Sequence, residues 1–582
     1  MSSKYSRAPR SVLPEDFQLS DYSSIAPYVE KLLKEEPEGL DELLKWIRHN
    51  EELEAFIGEE MAWRYINYTR HTDNEKYVDA YSFFVKEIQP KLVKAANEYN
   101  KALVSHAQFN ELPDDPLINF KKKSKLAIDL YREENIELGV KQTNLAQKYA
   151  SITGALSIEH NGEELTMQQA GKMLLQTDRA LRKEIFEKTV ERRATEREGL
   201  NEIFDQLVSL RTEEAKNCGF DNYRDFKHTS LARFDYTVED VLDFHKAIEK
   251  IAVPIQKEIL ETRKKRMGLE ELRPYDLQLN VYGDQPLKPF KDGEELLTKA
   301  IECFERLDPF FGETLKTMKA KGFLDLESRK GKASGGYNYP LDEHGIPFIF
   351  MNASGSMRDV TTMVHEGGHA VHSMLSRDIA YTSLKHCPSE VAELASMSME
   401  LISMDHWDVF FDSEKDLTRA KIEQLEGVLD VLPWIAIVDK FQHWVYTHPN
   451  HTAEERDEAW TKTFYTFNSR ATNYSGYEDH LKSLWHKQLH VFEVPFYYIE
   501  YAIAQLGAIA IWKNYKEKPE QALKQYKEAL ALGYTKTIHE IYTTAGIEFN
   551  FGEDYVKDLL AFVKGEMDYL IKKYESFQEA AK

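Results

Sequence analysis

The sequence is poor in the residues that mark disulfide-linked and membrane-spanning proteins. Its 582 residues include three cysteines, Cys218, Cys303 and Cys387, which are far apart and odd in number. They predict no disulfide framework, and because no Cys-x-x-Cys pair occurs, a cysteine zinc site is not expected either. The nearest candidate for a membrane span, around 501–512, is shorter than the roughly 18 apolar residues that such a helix needs. We therefore expect no membrane partner.

An excess of positive charge is also lacking. The chain carries 75 Lys and Arg against 98 Asp and Glu, a formal net charge of −23. An acidic surface repels phosphate groups, so we expect no nucleic acid partner. Residues 1–10 contain no apolar segment of the kind found in secretory signals. We therefore predict a cytoplasmic protein, and the sequence does not indicate its oligomeric state.

The spacing of apolar residues along most of the sequence is typical of helices. Apolar residues recur at three- and four-residue spacing in Ile25–Lys34, Leu40–Ile57, Lys76–Tyr99 and Ala180–Asn217, which predicts amphipathic helices. The break Pro-Asp-Asp-Pro at 113–116 divides the chain into an N-terminal helical lobe, residues 1–115, and a remainder, residues 116–582, that we expect to interleave with it.

Two segments predict β-structure. Asn161-Gly162 lies between two short extended runs, and this dipeptide suits the type I′ turn of a β-hairpin. A second region spans Gly335–Ala353, and Pro347 within it suggests that the run Phe348–Ala353 is an edge strand.

The most informative stretch is His365-Glu366-Gly367-Gly368-His369. On a helix, residues four apart share a face, so both imidazoles can bind one metal ion with Glu366 beside its open position. This is the layout of a zinc hydrolase whose general base is Glu366. The two glycines each destabilise a helix by about 1 kcal/mol relative to alanine. Close approach of another backbone, or of a substrate, would explain them.

A catalytic zinc site needs a third protein ligand. The segment 388–401 offers Glu390, Glu393 and Glu400 on a helical pattern, surrounded by leucine, alanine and methionine. Spacing alone does not choose among the three. The apolar neighbours indicate burial, and buried carboxylates need partners.

Together these motifs carry a family resemblance. His365–His372 followed by Glu390–Leu401 resembles the thimet oligopeptidase family of zinc peptidases, and in particular its oligoendopeptidase F branch. Similar segments are Gly331–Tyr337, Asn352–Gly355 and His490–Ala502.

The resemblance implies roles for individual residues. It makes His365, His369 and Glu393 the ligands of one Zn²⁺ per chain and Glu366 the general base. Glu400 then supports the ligands from behind. Residues that contact the substrate and stabilise the oxyanion are implied to be His490, Tyr498 and Tyr501. The family's glycine-rich loop is replaced here by Glu493-Val494-Pro495-Phe496, which leaves Tyr497 as an alternative to Tyr498.

The resemblance also implies a fold and an activity. The expected fold is mostly α: a two-lobed helical zincin-type peptidase with a deep substrate channel and a small β-sheet next to the active-site helix. The expected activity is zinc-dependent hydrolysis of internal bonds in short unfolded oligopeptides, with Phe348–Ala353 pairing with the substrate backbone.

Two alternatives stay open. His369 and Glu393 are 24 residues apart, a spacing that dipeptidyl carboxypeptidases of the angiotensin-converting-enzyme type resemble. Such an enzyme would need a group that binds the substrate's terminal carboxylate. The other alternative is an inactive peptide-binding protein on the same scaffold, which the intact HExxH motif disfavours.

Overall fold

The structure, a computed structural model, describes residues 7, 9–283 and 285–580. Residues 1–6, which belong to the stretch that predicts no secretory signal, lie outside the described residues. The fold is mostly α-helical with two small sheets, as the sequence predicts. No helix in the described part of the chain combines the length and apolarity needed to cross a membrane.

The N-terminal helices form a bundle with its own core. They are α1 (Tyr22–Lys34), α2 (Gly39–Arg70), α3 (Glu75–Phe83), α4 (Gln89–Ser105) and α5 (Asp114–Leu130), with a π-helical turn (Phe84–Ile88) between α3 and α4. Trp46, Phe56, Leu103 and Phe109 are buried together in this core. The next helix, α6 (Glu133–Gly154), instead contributes Tyr149 to the large core of the chain. The lobe boundary after residue 115 stays a prediction.

A middle group of helices leads towards the second sheet. It consists of α7 (Met167–Met173), α8 (Arg179–Ala194), α9 (Arg197–Asn217), α10 (Tyr223–Ser230), α11 (Val238–Arg266), α12 (Gly293–Leu307) and α13 (Pro309–Lys321). The charged stretch predicted as helical after residue 179 is split into α8 and α9 by a turn at Thr195–Glu196.

The C-terminal helices supply most of the large core. They are α14 (Met357–Ser376), α15 (Ser389–Ile402), α16 (Glu414–Thr447), α17 (Ala453–Phe467), α18 (Glu478–Lys482), α19 (Leu489–Glu493), α20 (Tyr498–Glu517), α21 (Pro519–Ala531), α22 (Ile538–Thr544) and α23 (Glu553–Ala580). Short 3₁₀ turns lie at Phe109–Glu111, Pro274–Asp276, Thr382–Leu384, Ser403–Phe410 and Leu484–Lys487. α15 packs between α14 and α20 and is buried along most of its length.

The predicted hairpin is confirmed. Strands β1 (Ser157–His160) and β2 (Glu163–Thr166) pair antiparallel. Asn161 and Gly162 between them have φ values of 54° and 80°, as a type I′ turn requires.

The second sheet corrects one expectation. Its strands β3 (Leu324–Glu327), β4 (Tyr337–Tyr339) and β5 (Phe348–Ala353) lie in the order β3-β5-β4. β5 runs parallel to β3 and antiparallel to β4, so the prediction that Phe348–Ala353 is an edge strand is wrong. Pro347 precedes the first residue of the strand, where it removes no donor from the ladder.

Helix α2, one of the N-terminal helices, packs against this sheet. Ala62 and Ile66 of α2 are buried against Phe348 and Phe350 of β5. The hydroxyls of Thr69 and Tyr337 are 2.6 Å apart, which ties α2 to β4 directly. The N-terminal helices therefore help to position the edge strand that lies over α14.

Candidate active site

Helix α14 carries the HExxH motif. A capping box between Ser356 and Asp359 fixes where the helix begins. One turn of helix separates His365 from His369, and their ring centroids are 5.0 Å apart. Both imidazoles keep part of their surface accessible, whereas Glu366 between them is buried.

The two glycines of the motif mark close packing within the protein. A Cβ on Gly368 would lie 2.7 Å from Ser396 Cα and 2.8 Å from the Ala395 carbonyl oxygen. A Cβ on Gly367 would lie 2.6 Å from the Phe304 ring. Approach by another backbone is therefore confirmed, and that backbone is α15 rather than a substrate. Gly368 lets α15 cross α14 closely enough to bring Glu393 to the histidines.

Three donor atoms meet where these helices cross. Glu393 Oε2 is 3.3 Å from His365 Nε2 and 3.5 Å from His369 Nε2. A tetrahedral site with bonds of about 2.0–2.1 Å requires neighbouring ligand atoms about 3.3–3.4 Å apart. The two nitrogens and the carboxylate oxygen therefore fit a zinc ion in chemistry and in spacing. Of the three glutamates that the sequence leaves open, Glu393 is the one that joins this group.

Glu400 lies behind His365. Its Oε1 is 2.7 Å from His365 Nδ1, so the ring presents Nε2 to the donor group. Its Oε2 accepts a hydrogen bond from Gln424 at 2.8 Å, and Thr361 donates to Gln424 at 2.9 Å. Burial alone would lower the pKa of His365, but Glu393 and Glu400 raise it well above its usual value.

Glu366 is suited to proton transfer. Its Oε2 is buried and has no hydrogen-bond partner among the described residues. Burial raises the pKa of this carboxyl, and the nearby His365 and His369 partly oppose the shift. A raised pKa brings a carboxylate closer to the range in which it exchanges protons efficiently.

The His490 ring packs against Tyr497, Tyr498 and Tyr501, and Tyr497 joins this cluster to Glu393. Gln488 Nε2 donates to His490 Nδ1 at 2.7 Å, and Gln488 Oε1 accepts from the Tyr498 hydroxyl at 3.2 Å. Burial lowers the pKa of His490 to about 4. The ring is therefore neutral at pH 7 and carries its proton on Nε2, 3.4 Å from the Tyr501 hydroxyl.

The tyrosines differ in what they contact. Tyr497 donates to Glu393 Oε1 at 2.8 Å, whereas Tyr498 faces Gln488. Burial raises the pKa of Tyr501 well above 10, with contributions from the charges of Glu393 and Glu366. The polar contact of the Tyr501 hydroxyl is with His490 Nε2, and its ring packs against Tyr497, which contacts Glu393. Tyr497, which the sequence leaves as an alternative to Tyr498, is the tyrosine that touches a candidate ligand.

The segment that replaces the glycine-rich loop has an unusual backbone. Phe496 has a φ of 65°, a left-handed conformation that side chains other than glycine rarely adopt. Its N–H donates to Gln442 Oε1 at 2.9 Å, and its carbonyl accepts from Arg233 at 2.5 Å. Arg233 also pairs with Glu500 at 2.6 Å, and all these side chains are buried. Sequence reasoning did not find Gln442 or Arg233, which hold the turn before Tyr497, because neither lies near a motif.

Strand β4 lies over α14. A Cβ on Gly336 would lie 3.3 Å from Thr362 Cγ2 and 3.6 Å from Glu366 Oε1. Asn338 Nδ2 donates to the Glu366 carbonyl at 3.3 Å. The outer edge of β4 is unpaired within the described sheet. The β4 side of β5 is paired over Phe348–Phe350 only, so the expectation that Phe348–Ala353 binds the substrate backbone is excluded for those three residues and stays a prediction for Met351–Ala353.

Comparison with known proteins identifies the family. The profile of Peptidase family M3 matches residues 172–559, and that of the Peptidase M3 N-terminal domain matches residues 14–117. The chain belongs to peptidase family M3. It is therefore a peptidase, and the family's metallopeptidase character agrees with the His365, His369 and Glu393 group.

Individual proteins of this type are similar to the chain in sequence and in structure. The chain is 24% identical over 476 residues to the oligoendopeptidase F homolog of Borreliella burgdorferi, covering 79% of this chain and 77% of that one. An X-ray structure assigned as an oligoendopeptidase F superposes with a TM-score of 0.91 at 26% identity, covering 95% and 98% of the two chains. A structure of PZ peptidase A with an inhibitor gives 0.90 at 28% identity with the same coverage. The resemblance to the oligoendopeptidase F branch is confirmed.

Proposed function

We propose that the protein is a zinc-dependent endopeptidase that hydrolyses internal bonds of short unfolded oligopeptides. The observation that carries the proposal is the convergence of His365 Nε2, His369 Nε2 and Glu393 Oε2 at tetrahedral spacing beside the buried Glu366. We further propose that it acts in the cytoplasm and that residues 1–115 form one lobe beside the catalytic remainder, residues 116–582.

The proposed ligands are His365, His369 and Glu393. Zinc bound there would lower the pKa of water towards neutrality and polarise the scissile carbonyl. Glu400 orients His365 by accepting from Nδ1, and partners of this kind typically change metal affinity by about 10–100-fold.

Glu366 is the proposed general base. Its carboxylate accepts the proton of the attacking water and then delivers it to the leaving nitrogen. Burial favours this exchange because the carboxylate is poorly solvated and its pKa is raised.

Tyr501 and His490 are the proposed oxyanion donors. The neutral His490 ring donates from Nε2, because its Nδ1 accepts from Gln488. The Tyr501 hydroxyl remains protonated since burial raises its pKa. Tyr498 contributes by holding Gln488. Donors aimed at a developing negative charge are typically worth about 100-fold or more in turnover each.

The outer edge of β4 is the proposed support for the substrate. Backbone N–H and C=O groups at a strand edge bind an extended peptide with little dependence on its side chains. Tyr337 and Tyr339 project to one face of this strand and Asn338 to the other. An unfolded peptide fits such an edge, whereas a folded protein does not offer an extended segment.

The test combines metal analysis with peptide hydrolysis. We expect stoichiometric zinc in the purified protein and internal cleavage of a quenched fluorescent peptide of about ten residues. Glu366→Gln should retain zinc and lose at least about 100-fold in kcat, because the base is removed while the ligands stay. Turnover close to wild type in this variant would remove Glu366 from its role.

Other outcomes separate the alternatives. Exclusive release of C-terminal dipeptides would favour the dipeptidyl carboxypeptidase. Protein with neither zinc nor turnover, but with measurable peptide binding, would favour the inactive peptide-binding protein.

A further inference from the structure

Arg233, in the segment that joins α10 to α11, binds the start of α20. Its Nη2 donates to the Phe496 carbonyl at 2.5 Å and to Glu500 Oε1 at 2.6 Å. Its Nε donates to the same Glu500 oxygen at 3.2 Å. Glu500 lies in the first turn of α20. One guanidinium group therefore joins the left-handed turn at Phe496 to the helix that follows it.

The two acceptors of Arg233 adjoin tyrosines of the candidate site. Phe496 directly precedes Tyr497, the tyrosine that contacts a candidate ligand. Glu500 directly precedes Tyr501, a proposed oxyanion donor. A shift of the backbone at either acceptor would therefore displace a hydroxyl of the site.

Arg233 also connects α20 with the helix of the candidate ligand. Its Nε lies 3.9 Å from Glu390 Oε1, and the Tyr236 hydroxyl donates to the same oxygen. Glu390 belongs to the first turn of α15, one turn before Glu393. Arg233, Glu390 and Glu500 are 8%, 0% and 2% exposed, so solvent does not screen their charges. A single buried cation thus contacts both helices.

The charges of this cluster are not balanced. Glu390 and Glu500 both pair with Arg233, and the Oε2 atom of each is buried without a hydrogen-bond partner among the described residues. Well-packed apolar residues often stabilise a fold at least as well as a buried ion pair does. The cluster is therefore better explained by the geometry that it fixes than by the stability that it adds.

Two residues with left-handed backbones flank the contact. Ala232, which directly precedes Arg233, has a φ of 54°, and Phe496 has a φ of 65°. Neither residue is glycine, so both conformations are strained. Gln442 accepts from the Phe496 N–H at 2.9 Å, so both backbone polar groups of Phe496 are held. Strained residues that the surrounding structure fixes in this way cluster at functional sites.

We propose that Arg233 is a positioning residue for peptide hydrolysis, which fixes Tyr497 and Tyr501 relative to the helix that carries Glu393. The inference rests on the proposed peptidase function and adds to it a residue that acts through its neighbours. A planar guanidinium group offers several donors in a fixed arrangement, so it can hold a carboxylate and a carbonyl together. Lysine keeps the charge but supplies one nitrogen.

The first experiment measures Arg233→Lys by steady-state kinetics at saturating zinc with a quenched fluorescent peptide. We expect kcat to fall about tenfold with little change in KM, because a small displacement of a donor weakens transition-state binding. The loss should be smaller than that of Tyr501→Phe, since the hydroxyl is displaced rather than removed. An unchanged kcat in the folded variant would overturn the proposal.

Arg182→Lys is the matched control. Arg182 of α8 is also buried, and it binds Asp276 at 3.0 Å and the Tyr275 carbonyl at 3.1 Å. Both variants therefore disturb a buried arginine that holds a carboxylate and a carbonyl, so both should melt at a lower temperature. Only Arg233→Lys should lower the kcat of the folded, zinc-loaded enzyme. Equal losses of kcat would show a general effect of stability and would also overturn the proposal.

A double variant tests whether Arg233 acts through Tyr501. Once Tyr501→Phe has removed the hydroxyl, there is little left for Arg233 to position at saturating zinc. Adding Arg233→Lys to Tyr501→Phe should therefore change kcat by less than about twofold. Two losses that multiply in full would show that the residues act independently, against the proposal.

Variants of Glu500 carry the same test if Arg233→Lys does not fold. Glu500→Leu removes the acceptor and leaves Arg233 paired with Glu390, whereas Glu500→Gln keeps an acceptor oxygen. We expect kcat to fall about tenfold in Glu500→Leu and by less in Glu500→Gln. Equal kcat values in these two variants would defeat the positioning role. If the wild type cleaves no peptide, the proposed function fails as well, whereas active wild type with fully active variants defeats only the role of Arg233.

Discussion

At the scale of single residues, hydrogen bonds fix the orientation and the tautomer of the histidine rings in the site. Gln488 is the clearest case, since its oxygen accepts from Trp434 and Tyr498 while its nitrogen donates to His490. This arrangement fixes the amide orientation and therefore the His490 tautomer. Glu400 likewise fixes the tautomer of His365 by accepting from its Nδ1.

Phenylalanine substitutions should separate the roles of the tyrosines. Tyr501→Phe removes the hydroxyl that lies 3.4 Å from His490 Nε2 and is a proposed oxyanion donor, so we expect kcat to fall about 100-fold with little change in KM. Tyr497→Phe removes a hydrogen bond to Glu393, so we expect zinc affinity to fall by about tenfold. Steady-state kinetics at saturating zinc and a competitive chelator titration measure the two effects.

Tyr498→Phe is the comparison for both variants. Its hydroxyl contacts Gln488 rather than Glu393, so its effect on kcat should be smaller than that of Tyr501→Phe. A larger loss from Tyr498→Phe would exchange the roles of the two tyrosines.

At the scale of elements, the site depends on how closely α14 and α15 cross. α15 is buried between α14 and α20, so it carries Glu393 towards the histidines and contacts the helix that carries Tyr501. The crossing is possible because residue 368 has no side chain.

Gly368→Ala should therefore disturb both stability and metal binding. The new Cβ would meet Ser396 Cα and the Ala395 carbonyl, which are backbone atoms and cannot rotate away. Overpacking of this kind destabilises by about 1–3 kcal/mol. Since Glu393 is three residues from Ser396, we also expect weaker zinc binding. Thermal unfolding and zinc content measure the two effects.

Gly427→Ala provides the matched control. Gly427 is an exposed position in α16, and a Cβ there would meet nothing within 4 Å. This change should stabilise the helix by up to about 1 kcal/mol and leave zinc binding intact. If Gly368→Ala behaves like Gly427→Ala, the close crossing does not control the position of Glu393.

Motifs whose chemistry depends on neighbours along one helix could be predicted from the sequence. His365, Glu366 and His369 are an example, because helical spacing alone places them together. The Asn161-Gly162 hairpin is another, since the turn depends on two residues. The strand order β3-β5-β4 could not be predicted, because β3 (Leu324–Glu327) lies outside Gly335–Ala353, the segment in which the sequence predicts β-structure. The same holds for Gln442 and Arg233, whose contacts with Phe496 arise from distant parts of the chain.

At the scale of the whole molecule, the N-terminal helices support the sheet that lies over the active site. Besides Thr69, which contacts Tyr337, α2 contributes Glu59 at the turn that joins β4 to β5. Glu59 Oε2 accepts from the N–H groups of Glu343 and His344, both at 3.0 Å, and its Oε1 contacts the His344 ring. The position of the edge strand is thus coupled to helix α2.

The contact between Glu59 and His344 should make the stability of the packing between α2 and the turn after β4 depend on pH. The hydrogen bond to Glu59 raises the pKa of His344 above its ordinary value of 6.5, although burial opposes the shift. Because the folded state holds the proton more tightly, the contribution of His344 to stability is complete below about pH 6.5 and is lost as pH rises through the folded pKa. Glu59 meanwhile keeps its two backbone hydrogen bonds.

Comparison of wild type with His344→Gln measures this contribution. We expect wild type to melt at a higher temperature near pH 6 and the difference to disappear by about pH 9. His539→Gln is the control, since His539 is exposed and has no acidic ion-pair partner among the described residues. The pH dependence of the His344→Gln difference is read against that of His539→Gln. A melting difference for His344→Gln that is constant from pH 6 to 9 would show that the ring acts through packing, so the charge of His344 would not link the N-terminal helices to the edge strand.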